Sequence, residues 1–337
     1  MLSRWFSLFL LILMTLTLSG RPAPQQRGIG PGAGAAGARG AVTLPDPPSA
    51  PSTQPPALTD LDTVLLNVSV TASGNNAVAG IALDRFHVFE DGVEQKLTYF
   101  WEDSRPMTVG FIFDDSMRMD IHDKVYVLKD AAQAFLREKN PRDEYFVVRM
   151  ADLPDVVTSF TTDPKNLPRQ YKASGETALY DAVYVGLAVI KEAANPRKFL
   201  VVLTSGGDRC CSLNNKRTTE DMLKSFALKN TTEVYPVMVA DQIEDEESEF
   251  VHRDGVVLDD VATMTGGRMY IVPNAPRTVE AQMAEIARGL KTQYIVGFKS
   301  PRLPDGKRRG VKVKVDSPEG SPKLSVWTKA GYYAHER

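Results

Sequence analysis

The chain is poor in the residues that build crosslinked or metal-rich proteins. It has two cysteines and four histidines among 337 residues, and the cysteines are neighbours, Cys210 and Cys211. One adjacent pair cannot form a disulfide framework, and it lacks the second pair or the nearby histidine that a zinc site needs. Three states remain for the pair. We favour a strained vicinal disulfide in a local turn, and two free thiols or an intermolecular bond are the alternatives.

The chain also lacks an excess of charge of either sign. Forty Lys and Arg residues stand against 42 Asp and Glu residues, so the formal net charge is -2. Such a balance gives no electrostatic basis for binding nucleic acid. Two local exceptions, the acidic run 241–249 and the basic cluster 307–309, lie beside turn residues. Both are predicted to be solvated loops.

Catalytic signatures are absent from the sequence as well. None of the histidines belongs to a metalloprotease pattern, no serine lies in a Gly-x-Ser-x-Gly elbow, and no glycine-rich loop has the phosphate-binding pattern. The carboxylates of Asp114, Asp115, Asp120 and Asp123 are explained better by a solvated helix start than by acid–base catalysis. We therefore expect a protein that is not an enzyme. A hydrolase with an unrecognised site is the less favoured alternative.

The N-terminal residues predict export. Residues 1–20 combine Arg4, a short apolar run from Trp5 to Leu18 and small residues after it, which is the pattern of a secretory signal peptide. The run is shorter than the roughly 20 residues that span a bilayer, so an uncleaved membrane anchor is the alternative. Residues 21–58, dominated by Gly, Ala and Pro, predict a disordered tether. A periplasmic or extracellular location follows, with membrane contact only if the first segment is retained.

Between residues 104 and 290, buried strands are predicted to alternate with helices. Continuous apolar runs such as 108–113 and 199–203 indicate strands that are covered on both faces. Segments with apolar residues at helical spacing, such as 179–192, lie between the runs. This alternation predicts an α/β fold with a doubly wound, mostly parallel sheet.

The two flanks of this region have a different pattern. Residues 59–103 and 291–334 contain short segments in which apolar and polar side chains alternate, and Asp91-Gly92 is a strong hairpin signal. Pieces of this length are not stable as separate hairpins. We therefore predict one small β-sandwich that is built from both flanks, with the α/β domain inserted into it.

Three motifs in the predicted α/β region resemble those of the von Willebrand factor type A domain. In chain order they are Asp114-x-Ser116, residues 174–182 and residues 202–208. Three flanking segments are similar to those of exported bacterial VWFA-related proteins, namely 84–96, 294–298 and 329–334. The resemblance covers residues from about 59 to 334. It implies a Rossmann-like domain in a secreted module for protein binding or cell adhesion.

The resemblance also implies a metal site. In that family two hydroxyls of the first loop, a threonine of the second loop and nearby aspartates hold a divalent cation such as Mg²⁺. The cation accepts a carboxylate from a partner protein as its last ligand. Asp114, Ser116 and Thr177 match the family positions. The aspartate that the family has in its third loop is absent here, and nearby Asp208 is the carboxylate that could compensate for it. Mg²⁺ is therefore the one cofactor that the motif indicates.

Two substitutions make this motif degenerate. Arg118 replaces the second serine, and Ser205 replaces the aspartate of the third loop. A guanidinium keeps its charge in proteins and repels a divalent cation. We predict instead that Arg118 and Ser205 bind the partner, with Arg118 donating to an acidic side chain. A metal-free structural scaffold, in which Asp114 caps the following helix, is the alternative.

Overall fold

The structure is a computed structural model in which part of the chain is described. The described residues are 50–56, 62–72, 76–120, 124–168, 173–210, 218–240, 248–317 and 322–335. The predicted signal peptide, residues 1–20, and most of the predicted tether lie outside these ranges. Within them, no helix has the length and the apolar content that crossing a bilayer requires.

Strands and helices alternate in the middle of the chain, whereas both flanks consist mainly of strands. In the described ranges the strands are β1 (Thr63–Thr71), β2 (Phe86–Glu90), β3 (Val93–Gln95), β4 (Leu97–Asp103), β5 (Met107–Asp114), β6 (Glu144–Met150), β7 (Asp155–Thr161), β8 (Arg197–Thr204), β9 (Glu233–Ala240), β10 (Tyr270–Pro273), β11 (Gln293–Lys299), β12 (Arg308–Val315), β13 (Ser325–Trp327) and β14 (Gly331–Tyr333). The helices are α1 (Met117–Asp120), α2 (Val125–Leu136), α3 (Leu179–Val189), α4 (Glu220–Leu228), α5 (Ser248–Thr265) and α6 (Pro276–Lys291).

A six-stranded sheet forms the centre of the fold. Its strand order is β10-β9-β8-β5-β6-β7, and each neighbouring pair is parallel except β6 with β7. Every residue of β5 is buried, because helices cover both faces of the sheet. One apolar cluster includes residues of α2 and α6, and another includes residues of α3, α4 and α5. The predicted α/β class with a mostly parallel sheet is confirmed.

The two flanks meet in antiparallel sheets, as predicted. One sheet has the order β13-β1-β11-β4 and the other has the order β14-β12-β2-β3, so each combines strands from both ends of the sequence. The pairing of β1 with β11 aligns Thr63 with Lys299 and Ser69 with Gln293. Side chains from both sheets share one apolar cluster, which includes Leu66, Val68, Phe86, Val88, Tyr294, Phe298 and Val313. These sheets are called the sandwich below.

The last part of the predicted tether contacts the sandwich. Ser52 forms an isolated parallel bridge with Tyr99 of β4. The Ser52 amide donates to the Thr98 carbonyl at 2.8 Å, and the Phe100 amide donates to the Ser52 carbonyl at 2.9 Å. Ser52 therefore lies against the edge of β4 that does not pair with β11.

The sandwich contacts the central sheet where its parallel strands begin. Glu233, the first residue of β9, accepts hydrogen bonds from Asn67 Nδ2 at 2.6 Å and from Gln293 Nε2 at 2.8 Å, both in the sandwich. Arg197, the first residue of β8, donates to the Arg105 carbonyl at 3.0 Å and lies 3.6 Å from the Asp103 carboxylate. The carboxyl ends of the same strands lie at the other edge of the sheet, which carries the candidate site.

Candidate functional site

Asp114 is the centre of the site. Strands β5 and β8 are parallel neighbours, so the loops that follow them meet. The Asp114 side chain is fully buried. Its Oδ1 accepts from the Ser116 amide at 3.2 Å and from Ser116 Oγ at 2.6 Å. Its Oδ2 accepts from Thr204 Oγ1 at 2.7 Å, from the Ser205 amide at 3.2 Å and from Ser205 Oγ at 3.4 Å.

Thr177, on the loop before α3, joins the same hydrogen-bond network. Its Oγ1 donates to Ser116 Oγ at 2.9 Å. The loop is held against the first one, because the Met117 amide donates to the Gly175 carbonyl at 3.0 Å. Gly175 has a φ of +73°, and a Cβ there would lie 2.5 Å from an Asp152 carboxylate oxygen. A glycine at this position therefore lets the loop approach closely enough for Thr177 to reach Ser116.

The third loop returns toward the second one after β8. Gly206 and Gly207 have φ values of +85° and +82°, which reverse the chain direction. The Arg209 and Cys210 amides then donate to the Thr177 carbonyl, each at 2.9 Å. The three loops are thus connected by main-chain hydrogen bonds as well as by the side chains around Asp114.

The cysteine pair lies at the end of this third loop. Cys210 is disulfide-bonded. Cys211 lies outside the described residues, and the chain has no further cysteine. Of the three states considered from the sequence, free thiols are therefore excluded for Cys210.

Asp208 belongs to a neighbouring cluster of polar groups. Its Oδ1 accepts from the Tyr180 amide at 3.3 Å, in the first turn of α3. Its own amide donates to Asp254 Oδ2 at 2.7 Å, and the Tyr180 hydroxyl donates to Asp254 Oδ1 at 2.6 Å. Burial and the Asp254 hydrogen bond raise the pKa of Tyr180. These contacts fix Asp208 toward α3 and α5.

Arg118 and Ser205, the predicted partner-binding residues, differ in exposure. Arg118 is half-buried in the short helix α1, directly after the Asp114 turn, and the side chain of neighbouring Met117 is 57% exposed. Ser205 is only 4% exposed, and both its amide and its hydroxyl face Asp114. The structure thus brings Asp114, Ser116, Thr177 and Ser205 together, with Arg118 in the same turn.

Two residues of this region were given no role from the sequence. Thr204 lies within a recognised motif, but it ends a buried strand, and its contact with Asp114 spans 90 residues of sequence. Asp254 is fully buried in α5 and is separated from Tyr180 by 74 residues. The sequence does contain one indication that Asp254 is buried. It lies four residues before Leu258, so both side chains are on the same face of the helix. A charged residue on an apolar helix face requires a partner.

Asp115 is a buried carboxyl whose hydrogen-bonding capacity is not satisfied. It is 3% exposed, and its Oδ1 has no hydrogen-bond partner among the described residues. Burial raises the pKa of Asp115 to about 6, with a further contribution from Asp114, whereas Arg149 acts in the opposite direction. A carboxylate in this position is disfavoured in its charged form.

Replacing Asp115 with asparagine should stabilise the protein at neutral pH. Because the pKa of Asp115 in the folded protein is raised above the ordinary aspartate value of 3.8, wild-type stability falls as pH rises through the window from about 4 to about 6. The neutral amide avoids this loss, so the variant should gain about 1–2 kcal/mol at pH 7.5 and little at pH 4. Urea unfolding at both pH values measures the difference. An equal change at both would contradict the assigned cause.

The residues around Asp114 fit Mg²⁺ poorly in this arrangement. Mg²⁺ requires six oxygen ligands in octahedral geometry. The Asp114 carboxylate contacts these hydroxyls directly, and both of its oxygens already accept hydrogen bonds. Among the described residues, no group of three or more His, Cys, Asp or Glu side chains is placed to hold a metal. Ser116 and Thr177 would have to turn away from their present acceptors to serve as ligands.

Comparison with known proteins identifies this part of the chain. Residues 109–207 match the family model described as von Willebrand factor type A domain. No curated protein matches the sequence.

Solved structures of similar fold have low sequence identity. A von Willebrand factor type A protein from Catenulispora acidiphila is 13% identical over 80% of this chain and 73% of that chain, with a TM-score of 0.46. The PilB minor pilin from Streptococcus sanguinis is 11% identical over 56% and 62%, with a TM-score of 0.44. The vWF domain of the pilus tip protein Mfa5 from Porphyromonas gingivalis is 9% identical over 55% and 95%, with a TM-score of 0.42. At these values the likeness carries no argument about function. The family match and the three loops around Asp114 together show that the chain contains a von Willebrand factor type A domain, to which residues 109–207 belong.

Proposed function

We propose that the chain is a non-enzymatic protein-interaction module that binds its partner without a metal ion. The binding surface is the top face, defined as residues 115–118, 174–177 and 205–209 at the carboxyl ends of β5 and β8 and on the loop between β7 and α3. The observation that supports the proposal is the hydrogen bonding of Asp114. Its two carboxylate oxygens accept five hydrogen bonds from other groups of this chain. A carboxylate satisfied in this way needs no cation.

Arg118 supplies the positive charge in this proposal. It lies in the turn directly after Asp114 and is half-buried, so part of its side chain reaches the surface. A guanidinium offers a planar set of donors that matches a carboxylate, and it keeps its charge at any physiological pH. Arg118 would therefore bind an Asp or Glu side chain of the partner protein. Exposed Met117 beside it adds apolar contact area.

Ser205 acts below the surface in this proposal. Its amide and hydroxyl both donate to Asp114, so it helps to hold the turn that presents Arg118. Asp208 has a similar supporting role, because it accepts from the first turn of α3 and contacts α5. The sandwich supports the choice of face, since its contacts with Glu233 and Arg197 occupy the opposite edge of the central sheet.

The proposal includes export of the protein. The signal-peptide pattern in residues 1–20 supports a periplasmic or extracellular location, where the top face would bind another protein. Contact with the membrane would then require that this segment be retained.

The experiment is a binding assay with defined acidic peptides. A photo-crosslinking residue at position 117, in cells of the source organism, captures the partner, and peptides from the captured protein are titrated by calorimetry. We expect Arg118→Ser to weaken binding at least tenfold, and each critical Asp→Asn change in the peptide to do the same. EDTA or Mg²⁺ should change the wild-type affinity little. The matched control is Arg142→Ser, an exposed arginine near the amino ends of the strands.

Two results would overturn this proposal. Loss of wild-type binding in EDTA, with recovery in Mg²⁺, would show that a metal ion holds the partner. Wild-type affinity in Arg118→Ser would show that this arginine does not contact the partner, which contradicts the role proposed for it.

A further inference from the structure

A groove lies at the opposite end of the α/β domain from the top face. It has a volume of about 590 Å³, which is in the range of sites that bind small molecules. Residues 228–231, between α4 and β9, form one wall. The sandwich forms the other wall, with Tyr332 and Tyr333 of β14 and with Lys329, which precedes that strand.

The arginines that line the groove are already paired. Arg302 contacts the Asp91 carboxylate, and Arg309 lies 3.5 Å from Glu90 and 3.3 Å from Asp305. Their positive charges are therefore largely neutralised by residues of this chain.

The two lysines that line the groove are not paired in this way. Neither Lys229 nor Lys329 has an ion pair or a side-chain hydrogen bond within the described part of the chain. Asp62 is the one acidic residue in the lining. The groove therefore has an excess of positive charge, although the whole chain carries a net charge of -2.

Lys329 is fixed in position by its main chain. A Cβ on Gly266, at the end of α5, would lie 2.8 Å from the Lys329 amide nitrogen, so this segment packs directly on the turn after the helix. Burial lowers the pKa of Lys329, and the charge of Glu233 opposes this effect. The Glu233 carboxylate itself accepts hydrogen bonds from Asn67, Tyr235 and Gln293. A confined ammonium without a direct partner is destabilising unless an anion binds to it.

We propose that this groove binds a small organic anion, whose carboxylate or phosphate group contacts Lys329 and Lys229 and whose ring or chain packs against Tyr332 and Tyr333. Both kinds of anionic group accept the charge-assisted hydrogen bonds that lysines donate. The two tyrosines offer aromatic surface beside the charges, which suits a sugar ring or an aromatic ring. The site is separate from the top face, so it stands independently of the function proposed there.

The test is a calorimetric titration of the full chain with inorganic phosphate and with glucuronate, at constant ionic strength set by chloride. We expect saturable binding in the millimolar range for the anion that fits, and the comparison between the two probes decides between phosphate and carboxylate. Lys329→Met should abolish saturable binding, and Lys229→Met should weaken it at least fivefold. Lys323→Met, which removes an exposed lysine outside the groove, should bind like wild type.

A labelling experiment tests the same site without a substitution. Pyridoxal 5′-phosphate carries an aldehyde and a phosphate, and the Lys329 amine condenses with the aldehyde, with loss of water. Borohydride then reduces the imine to a stable secondary amine, which peptide mass spectrometry locates. We expect Lys329 to be labelled at least five times faster than Lys323, with protection by the anion that binds. Equal labelling of the two lysines, or the absence of saturable binding of either anion to wild type, would overturn the proposal.

Discussion

Replacing Asp114 with alanine is expected to lower the free energy of unfolding by about 3–5 kcal/mol. The carboxylate accepts five hydrogen bonds, from the amides and hydroxyls of Ser116 and Ser205 and from the hydroxyl of Thr204. All four residues are buried. Water has little access to the donors that the substitution would leave without an acceptor, so most of their desolvation penalty remains in the folded state.

The measurement is urea unfolding of wild type and variant, with an unchanged slope taken as evidence that the unfolded state is the same. Asp120→Ala is the matched control, because Asp120 is an exposed aspartate six residues along the chain. It should stay within about 0.5 kcal/mol of wild type. Asp114→Asn should give an intermediate loss, since the amide keeps one acceptor oxygen. A loss below about 1 kcal/mol for Asp114→Ala in EDTA would show that this network contributes little to stability.

The apolar pattern of the sequence predicts the full length of an element that is buried on all sides. It underestimates the length of elements that are partly exposed to solvent. For β5, the predicted strand 108–113 agrees with Met107–Asp114 to within one residue at each end. For α5, the apolar pattern alone predicts a helix over residues 258–265, whereas the helix in the structure is Ser248–Thr265. The first ten residues of α5 include five polar residues and a glycine, which interrupt the apolar pattern.

The same limit applies to β7. The apolar pattern alone predicts a short edge strand over residues 158–161, whereas the strand in the structure is Asp155–Thr161. Val156 and Val157 are adjacent apolar residues that are both partly exposed, so the sequence there does not alternate. Pairing with β6 decides the length of this strand, and local sequence does not encode that pairing.

In the candidate site, the sequence predicts the hydrogen bonds whose donor and acceptor lie on the same loop. The Asp114 and Ser116 contact joins residues two positions apart, and the spacing alone indicates it. The contacts of Asp114 with Thr204 and of Tyr180 with Asp254 join residues on different loops and helices. Their partners become identifiable only when the order of strands in the sheet is known, because that order brings the loops together.

Replacing Glu233 with alanine should have an effect as large as the loss of Asp114. Glu233 is fully buried and accepts hydrogen bonds from Asn67, Tyr235 and Gln293 at 2.6–2.8 Å. Truncation leaves all three donors without this acceptor. We expect a loss of about 3–5 kcal/mol in the free energy of unfolding.

The same substitution should also separate the unfolding of the two parts of the protein. Asn67 and Gln293 belong to the sandwich, whereas Glu233 and Tyr235 belong to the central sheet, so these hydrogen bonds connect the two. Calorimetry should show one transition for wild type and two for Glu233→Ala. A single transition with an unchanged midpoint would contradict a structural role for Glu233.

Glu233→Gln is the control that separates the charge from the hydrogen bonds. Its amide oxygen still accepts, so we expect a loss of at most about 1.5 kcal/mol at neutral pH. Burial raises the pKa of Glu233 above the ordinary glutamate value, so wild type loses stability as pH rises through the window that begins near 4.5. The neutral glutamine does not titrate, and its stability relative to wild type should therefore improve across that window. The opposite trend would mean that the ionised carboxylate is the stabilising form, with Arg197 as its partner.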